Sequence, residues 1–460
     1  MPEFSLLLWT VIVTALIFDF VNGWNDSANS IATVVGTRVL SPMRAVLLAA
    51  ALNLVGSFMG QAVAQTVAGS IVDPDMVSHT VLIAAMGGAI IWAAAMTMIG
   101  MPISGSHSLL GGFLGAAVAK AGIQVVFTGG VVTILAAMLI SPILGFLFAE
   151  FIYKLIATFF SHSAPGPTGR LFGRLQIVSV SAMSLMHGAN DAQKVMGIIT
   201  LGLLLGGHQD TLDVPFWVVI ACGMSISLGT ALGGWKVIKT LGHGLSRLKP
   251  VDGFAAETGA SLILLFVAKL GVPVSTTHTI TGSILGVGAT RGLGAVRWGL
   301  GQKILLAWVF TLPSTMALGG GLYWALWAAA GLDHEPPAPW KAQIEQTPDG
   351  AIALHWPEVE GAESYSVYRY RRIDPAAEAK HMERRSKKKS YRFSKHVPKP
   401  EREALVAEGL SEARCVDTRA DPTKHYIYRL RAVNAHGGSR LSEEFEYIAP
   451  EPKAAPPDEP

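Results

Sequence analysis

Ten apolar stretches fill the chain as far as about Gly331, near residues 4–24, 43–68, 79–100, 123–140 and 142–160, then 172–189, 215–238, 254–271, 296–312 and 313–331. Most are long enough to cross roughly 30 Å of hydrocarbon as helices. Backbone in a bilayer has no water to bond, so such stretches must satisfy their own N–H and C=O groups, and an all-α polytopic membrane fold follows. Half of the 460 residues are apolar and only 15% are charged, which excludes an ordinary soluble composition. No basic segment precedes the first stretch, so Ser5 to Val21 reads as a retained span and not a cleaved leader. The net charge of +3 is too small to point to nucleic acid. Cys222 and Cys415 lie in different regions and give no disulfide framework.

The stretches form two matching sets. Asn25-Asp26 in GWNDSAN recurs as Asn190-Asp191 in GANDAQK, 165 positions on. MPISGSHSLLGGFLG (101–115) recurs as VPVSTTHTITGSILG (272–286), and Pro142 as Pro313, both 171 positions on. Three landmarks kept in order indicate an internal duplication, with repeat 1 over 1–160 and repeat 2 over 161–333. Arg38, Arg44, Lys154, Arg170, Arg174, Lys236, Lys239, Arg247 and Lys249 mark one side, and Asp73, Asp75, Asp210 and Asp213 the other. The positive-inside bias makes the basic side cytoplasmic. Five spans per half then make the repeats inverted, with both termini outside an inner (plasma) membrane. In that count Arg291 and Arg297 fall on the outer side, against the bias.

Two polar features recur in each half. The first is Asn25, Asp26 and Asn29, mirrored by Asn190 and Asp191. A carboxylate at membrane depth is expensive unless it is paired, hydrated or coordinating. Asn and Asp oxygens suit Na⁺, or the carboxylate can take a proton. Capping of helix starts is the plainer alternative. The second is Pro102-Ile-Ser-Gly-Ser-His-Ser108, mirrored by Pro273-Val-Ser-Thr-Thr-His-Thr279. Proline ends one helix, and the small polar residues can start another with its N-terminus inward, an arrangement that holds an anion. Paired broken segments meeting near the midplane form substrate sites in secondary transporters, while small-residue helix packing is the competing explanation. His107 and His278 read as structural residues. Lys194 replaces Asn29 in the second copy, where its ammonium can stand in place of a cation or attract the anion; a snorkelling lysine is the plain alternative.

At these residues the chain resembles the inorganic phosphate transporter (PiT) family, whose repeated signature is GANDxxNA-like; the copies here read GWNDSANSIAT and HGANDAQKVMGIIT. The resemblance covers about residues 4–331. It implies inverted repeats, two re-entrant helical hairpins, a homodimer, and symport of phosphate with Na⁺ or H⁺, with no other cofactor. It also implies that Asn25, Asp26, Asn29, Asn190 and Asp191 hold the cation, and that Ser104, Gly105, Ser106, Ser275, Thr276 and Thr277 hold the anion. Trp24 departs from the signature's Ala, and Lys194 from Asn. Some members of the shorter type carry sulfate. Phosphate can donate a hydrogen bond near neutral pH and sulfate cannot, so an Asp facing the anion favours phosphate.

Composition shifts after Gly331. EPPAP (335–339) lies in a linker, 334–340, and residues 341–450 carry alternating runs led by Ile352, Leu354 and Trp356, then Tyr365 and Val367, then Tyr426, Tyr428, Leu430 and Ala432. SYSVYR and YIYRLRAVNAHGGSRLS resemble a fibronectin type III domain, an all-β sandwich. A basic insertion near 375–415 contains Arg384, Arg385, Lys387, Lys388, Lys389, Arg392 and Lys395. It reads as a solvated loop, with a binding arm for acidic lipid as the alternative. Residues 451–460 read as disordered, and the β domain is expected on the outer side. Two other function classes compete: an intramembrane hydrolase, and a membrane-anchored binding protein acting through its sandwich. The hydrolase is disfavoured because the hydroxyls and histidines come in duplicate, whereas a nucleophile needs one Ser against one base.

Overall fold

The computed structural model describes residues 5–74, 76–209, 211–330, 339, 341–359, 362–371, 401–434, 437–439, 442 and 445–448. It falls into two compact units that divide after Ala330. In the first, apolar sequence makes helices and the duplication is visible in their order. The first half holds α1 (Leu6–Gly36), α2 (Pro42–Gly56), α3 (Ala62–Gly69), α4 (His79–Ile99), α5 (Gly105–Ala121) and α6 (Thr128–Phe159). The second repeats this as α7 (Pro165–Leu205), α8 (Phe216–Leu232), α9 (Trp235–Lys239), α10 (Pro250–Lys269), α11 (Thr276–Ala289) and α12 (Trp298–Ala330). Five described helices are long and apolar enough to cross a membrane, and α8 with α9 and its π-helical extension, bent by 64°, makes a sixth.

Local details repeat as well. A bridge joins Val72 to Val126 around the α4–α5 hairpin, and another joins Ser246 to Val296 around α10–α11. The Thr66 hydroxyl donates to Gly271 O (2.7 Å), and the Thr240 hydroxyl to Gly100 O (2.8 Å), so each broken helix is tied to the hairpin tip of the other half. The halves interlock: α5 packs on α12, and α11 on α6. Glycine permits this approach. A Cβ on Gly115 would lie 2.0 Å from Met316 O, and one on Gly286 2.2 Å from Phe146 O. Close backbone contact through small residues is how helices associate where lipid removes the hydrophobic drive.

Two expectations from the sequence are corrected. The stretches 123–140 and 142–160 are not separate spans, nor are 296–312 and 313–331, because α6 and α12 run unbroken with Pro142 and Pro313 inside them. Proline removes one N–H and frees the carbonyl four residues before it. In α6 that carbonyl, Met138 O, accepts from Ser141 Oγ (3.2 Å) and lies 3.2 Å from His278 Nδ1, so the gap in the ladder is filled. Second, Arg291 and Arg297 do not face away from the basic loops. Arg291 pairs with Asp252 and donates to Arg247 O (2.6 Å), and Arg297 N donates to Leu245 O (2.9 Å). Both arginines therefore lie beside the loop that precedes α10, which carries Arg247.

The second unit has two small sheets, in orders β1-β2-β5 and β4-β3-β6-β7, with β8 paired to β6. The strands are β1 (Gln343–Gln346), β2 (Ile352–His355), β3 (Ser364–Arg371), β4 (Glu401–Leu410), β5 (Arg414–Asp417), β6 (Tyr426–Asn434), β7 (Gly437–Gly438) and β8 (Phe445–Tyr447). One core joins both sheets, Ile352, Leu354 and Cys415 meeting Tyr365, Val367, Tyr428 and Leu430. Asp417 accepts from Arg369 (2.6 Å) and from the Tyr428 hydroxyl (3.0 Å), and burial beside it pushes the Cys415 thiol up to about 11. The residues numbered for the basic insertion, Arg384 to Lys395, lie outside the described residues, as do 334–338, 340 and 451–460. From Glu401 the chain is strand, so the insertion ends earlier than its composition implies.

Gly286→Val tests the interlock. Overpacking of this kind costs about 1–3 kcal/mol, so the variant should unfold at a lower temperature in detergent, followed by tryptophan fluorescence. Val at Gly301, where a Cβ meets nothing within 4 Å, should leave the midpoint unmoved.

Candidate functional site

The site is built on the crossing of α1 and α7. Asp19, Asn22, Asp26, Asn29 and Thr33 recur at alternating steps of three and four, which sets them on one face of α1, and all five are buried. On α7, His187, Asp191 and Lys194 share a face in the same way and are equally buried. The helices run antiparallel in one register: Asn22 Nδ2 donates to Asp191 Oδ2 (3.2 Å), and the Thr37 hydroxyl to Gln176 Oε1 (2.8 Å). The Asn-Asp pairs therefore sit inside unbroken helices. They cap no helix, contrary to the capping alternative.

Three side chains converge: one ligand atom each from Asp26, His187 and Asp191 lies within 4.8 Å of the others. His187 Nε2 is 3.8 Å from Asp26 Oδ2 and 3.6 Å from Asp191 Oδ2. Asn53 sets the ring. It donates through Nδ2 to the Thr230 hydroxyl (2.8 Å), so its Oδ1 accepts from His187 Nδ1 (3.2 Å). With Nδ1 held by Asn53, Nε2 faces the two carboxylates. Lys194 Nζ binds Asp191 Oδ1 at 2.6 Å. Among the described residues Asp26 Oδ2, His187 Nε2, Asn29 Oδ1 and Asn190 Oδ1 have no hydrogen-bond partner. Asp26 Oδ2 and Asn29 Oδ1 are acceptors near this cluster, and buried lone pairs without donors are the pattern a cation completes.

The hairpin tips close over this cluster. Ser104 Oγ accepts from His107 N (3.2 Å) and Ser275 Oγ from His278 N (3.2 Å), so the two serines are the N-caps of α5 and α11. The tips touch: Ser106 Oγ donates to Val274 O (2.9 Å) and Thr277 Oγ1 to Ile103 O (2.9 Å). Thr277 Oγ1 also lies 3.1 Å from Asp26 Oδ1, and Thr276 Oγ1 lies 3.3 Å from Asp191 Oδ2. Asn29 Nδ2 donates to both threonines (3.4 and 2.9 Å). Gly105 fits because a Cβ there would lie 1.7 Å from Asn22 Oδ1. The His107 and His278 ring centroids lie 4.7 Å apart with the planes tilted by 40°, and the His278 ring centroid lies 3.8 Å from that of Trp308.

Asn25 and Asn190 are turned elsewhere. Asn25 binds the Thr97 hydroxyl (2.8 Å), Met101 O and Ile103 N (both 3.4 Å), and Asn190 Nδ2 binds Met186 O (2.8 Å) and Leu264 O (3.4 Å). Sequence reading missed His187, Asn22 and Asn53. His187 had a signal, since it stands one turn before Asp191 in HGANDAQK and its counterpart 165 positions earlier is Asn22. Glu257 was also missed; it accepts from the Thr33 and Ser179 hydroxyls and from Gln176 Nε2 (3.0 Å), and so extends the polar line beyond Asn29.

Comparison with known proteins relates the helical unit to characterised sequences and one solved structure. The phosphate transporter family matches residues 22–165 and 161–319. A Rhizobium meliloti protein described as a probable low-affinity inorganic phosphate transporter is 45% identical over 321 residues, which is 69% of this chain and 96% of that protein. A Bacillus subtilis protein of the same description is 40% identical over 324 residues, covering 70% and 97%. A solved structure described as the sodium-dependent phosphate transporter superposes with a TM-score of 0.66 at 26% identity, covering 71% of this chain and 100% of that one.

The unpaired acceptors make a direct prediction. A cation that binds only the folded chain stabilises it, by about 2.7 kcal/mol at a hundred times its Kd. Titrating Na⁺ at fixed pH, and pH at fixed salt, should raise the unfolding midpoint in one of the two series. His187→Ala should require about tenfold more of that cation. An identical titration in the variant would remove His187 from the site.

Proposed function

The chain belongs to the phosphate transporter family, and from that premise we propose that it imports inorganic phosphate by symport with a cation, Na⁺ or H⁺. It is an integral membrane protein of a family of transporters, not of enzymes. In this reading α4–α5 and α10–α11 are re-entrant hairpins, and α1, the broken pair α2–α3, and α6 are the crossings of the first half. Three crossings per half invert the second repeat relative to the first. The same reading puts Arg38, Lys154, Arg170, Arg247, Arg291 and Arg297 on one side, the cytoplasmic one by charge, and both termini outside.

Asp26, His187 and Asp191 hold the cation, with Asn29 beside them, while Asn25 and Asn190 brace the surrounding backbone. Ser104, Gly105, Ser106, Ser275, Thr276 and Thr277 hold the anion at two facing helix N-termini, whose dipoles and free N–H groups favour negative charge. The observation that carries the reading is that Thr276 and Thr277 are engaged with the carboxylates. A cation at Asp26 and Asp191 satisfies those oxygens, and the Thr276 hydroxyl is released to donate to the anion. Cation binding therefore precedes phosphate binding, and neither solute alone completes the site. Asp26 Oδ2 can accept from a protonated phosphate oxygen, which sulfate cannot supply. Sulfate is the second reading, kept because a hydroxyl-lined pocket fits either tetrahedral anion. With two aspartates and one lysine ionised, Lys194 leaves room for fewer cations than two intact copies would hold.

The family resemblance extends to a homodimer. In this reading the β unit, with sheet orders β1-β2-β5 and β4-β3-β6-β7, is a fibronectin type III sandwich on the outer side. Uptake of labelled phosphate into proteoliposomes, under separately imposed Na⁺ and pH gradients, is the test. Asp26→Asn and Asp191→Asn should each reduce uptake at least about a hundredfold, while a chain lacking residues 340–460 should keep it. Full coupled uptake in both Asn variants, or loss of uptake with the β unit, would overturn the proposal.

A further inference from the structure

Asp19 lies two turns before Asp26 on the same stripe of α1, with 0% exposure, and among the described residues neither carboxylate oxygen has a hydrogen-bond partner. The transport reading gives it no task. An ionised carboxylate buried in this way is strongly unfavourable unless a cationic partner reaches it. The register of α1 on α7 identifies one. With Asn22 opposite Asp191 and Thr37 opposite Gln176, position 19 stands opposite Lys194. Asp19 interacts electrostatically with Lys194 and Asp191 on α7 and with the Cys222 thiol on α8.

The duplication sharpens the assignment. The repeat-mate of Lys194 is Asn29, and the repeat-mate of Asp19 is Ser184; the same register sets Asn29 opposite Ser184. A neutral pair on one side of the repeat is matched by an acid and a base on the other. Both members changed, and they changed at facing positions.

We propose that Asp19 is the second counter-ion of Lys194, and that the ammonium exchanges between Asp191 and Asp19 as the cation site fills and empties. The inference rests on the reading that Asp26, His187 and Asp191 hold the coupling cation. In the structure the ammonium is on Asp191, 2.6 Å from Oδ1. A cation entering the cluster competes for Asp191 and repels Lys194, which turns one helical turn along to Asp19. The ammonium stays charged throughout the exchange. When the cation leaves, Lys194 returns to Asp191, so the empty carrier never exposes a bare carboxylate there.

The test is a double-mutant cycle on the half-saturation of phosphate uptake for the driving cation, read with Na⁺ titrated at fixed pH and with pH titrated without Na⁺. Without Asp19, Lys194 has nowhere to go, so Asp19→Asn should raise the half-saturation about tenfold or more, whereas in a Lys194→Gln background the same change should shift it by less than about twofold. An equal shift in both backgrounds, or none in the wild type, overturns the proposal. If Asp19→Asn alone fails to insert, the double variant decides. Removing the pair restores the neutral arrangement of Asn29 and Ser184, so insertion of the double variant supports the pairing, and its failure where Lys194→Gln inserts contradicts it. Asp26→Asn separates the two readings: if it keeps cation dependence, the cation site itself is wrong; if it loses cation dependence while Asp19→Asn acts equally in both backgrounds, only the pairing is wrong.

Discussion

Two helix N-termini face each other in the helical unit, and two carboxylates make that arrangement tenable. The starts of α5 and α11 bring like ends of two dipoles together, which is unfavourable in a medium of low dielectric. Asp26 and Asp191 lie against the threonines at the second of these starts and supply the opposing charge. His187 stands between the carboxylates, and Lys194 covers one oxygen of Asp191. Positive dipole ends that want an anion, beside acceptors that want a cation, share one set of hydroxyls. In the proposed mechanism this sharing is what couples the two solutes, since filling one half of the site changes what the other half can bind.

The scaffold keeps the geometry fixed by crossing its halves. Each hairpin lies on the last helix of the opposite repeat, each broken helix bonds to the opposite tip, and the two helices with the Asn-Asp pairs cross at the centre. Glycines at the hairpin contacts let backbones meet where bulkier residues would hold them apart. Each hairpin is thus tied to the opposite half, and in the proposed transport cycle that tie would couple movement of one hairpin to the other half.

The repeat, the helical membrane architecture and the central aspartates were legible in the sequence because they depend on composition and spacing. The number of crossings was not. Pro142 read as a helix end, but Ser141 and His278 bind the carbonyl it frees, and that rescue comes from residues distant in sequence. The positions of Arg291 and Arg297 already conflicted with ten crossings, and the structure sets them beside Arg247 and Leu245. Within the site, Asn25 and Asn190 sit next to the aspartates in sequence but point to other backbones, since neighbouring residues on a helix face 100° apart. His187 was overlooked for the converse reason: four residues from Asp191 is one turn, the spacing at which side chains meet.

The account turns on the cation preparing the anion site. Equilibrium binding of labelled phosphate to the purified protein, with Na⁺ and pH varied independently, measures this most directly. The account predicts phosphate affinity that rises steeply with one of the two cations and is lost in Asp26→Asn. Phosphate binding of equal strength across all Na⁺ concentrations and pH values would show that the carboxylates do not govern the threonines, and the coupling derived from their contact would be wrong.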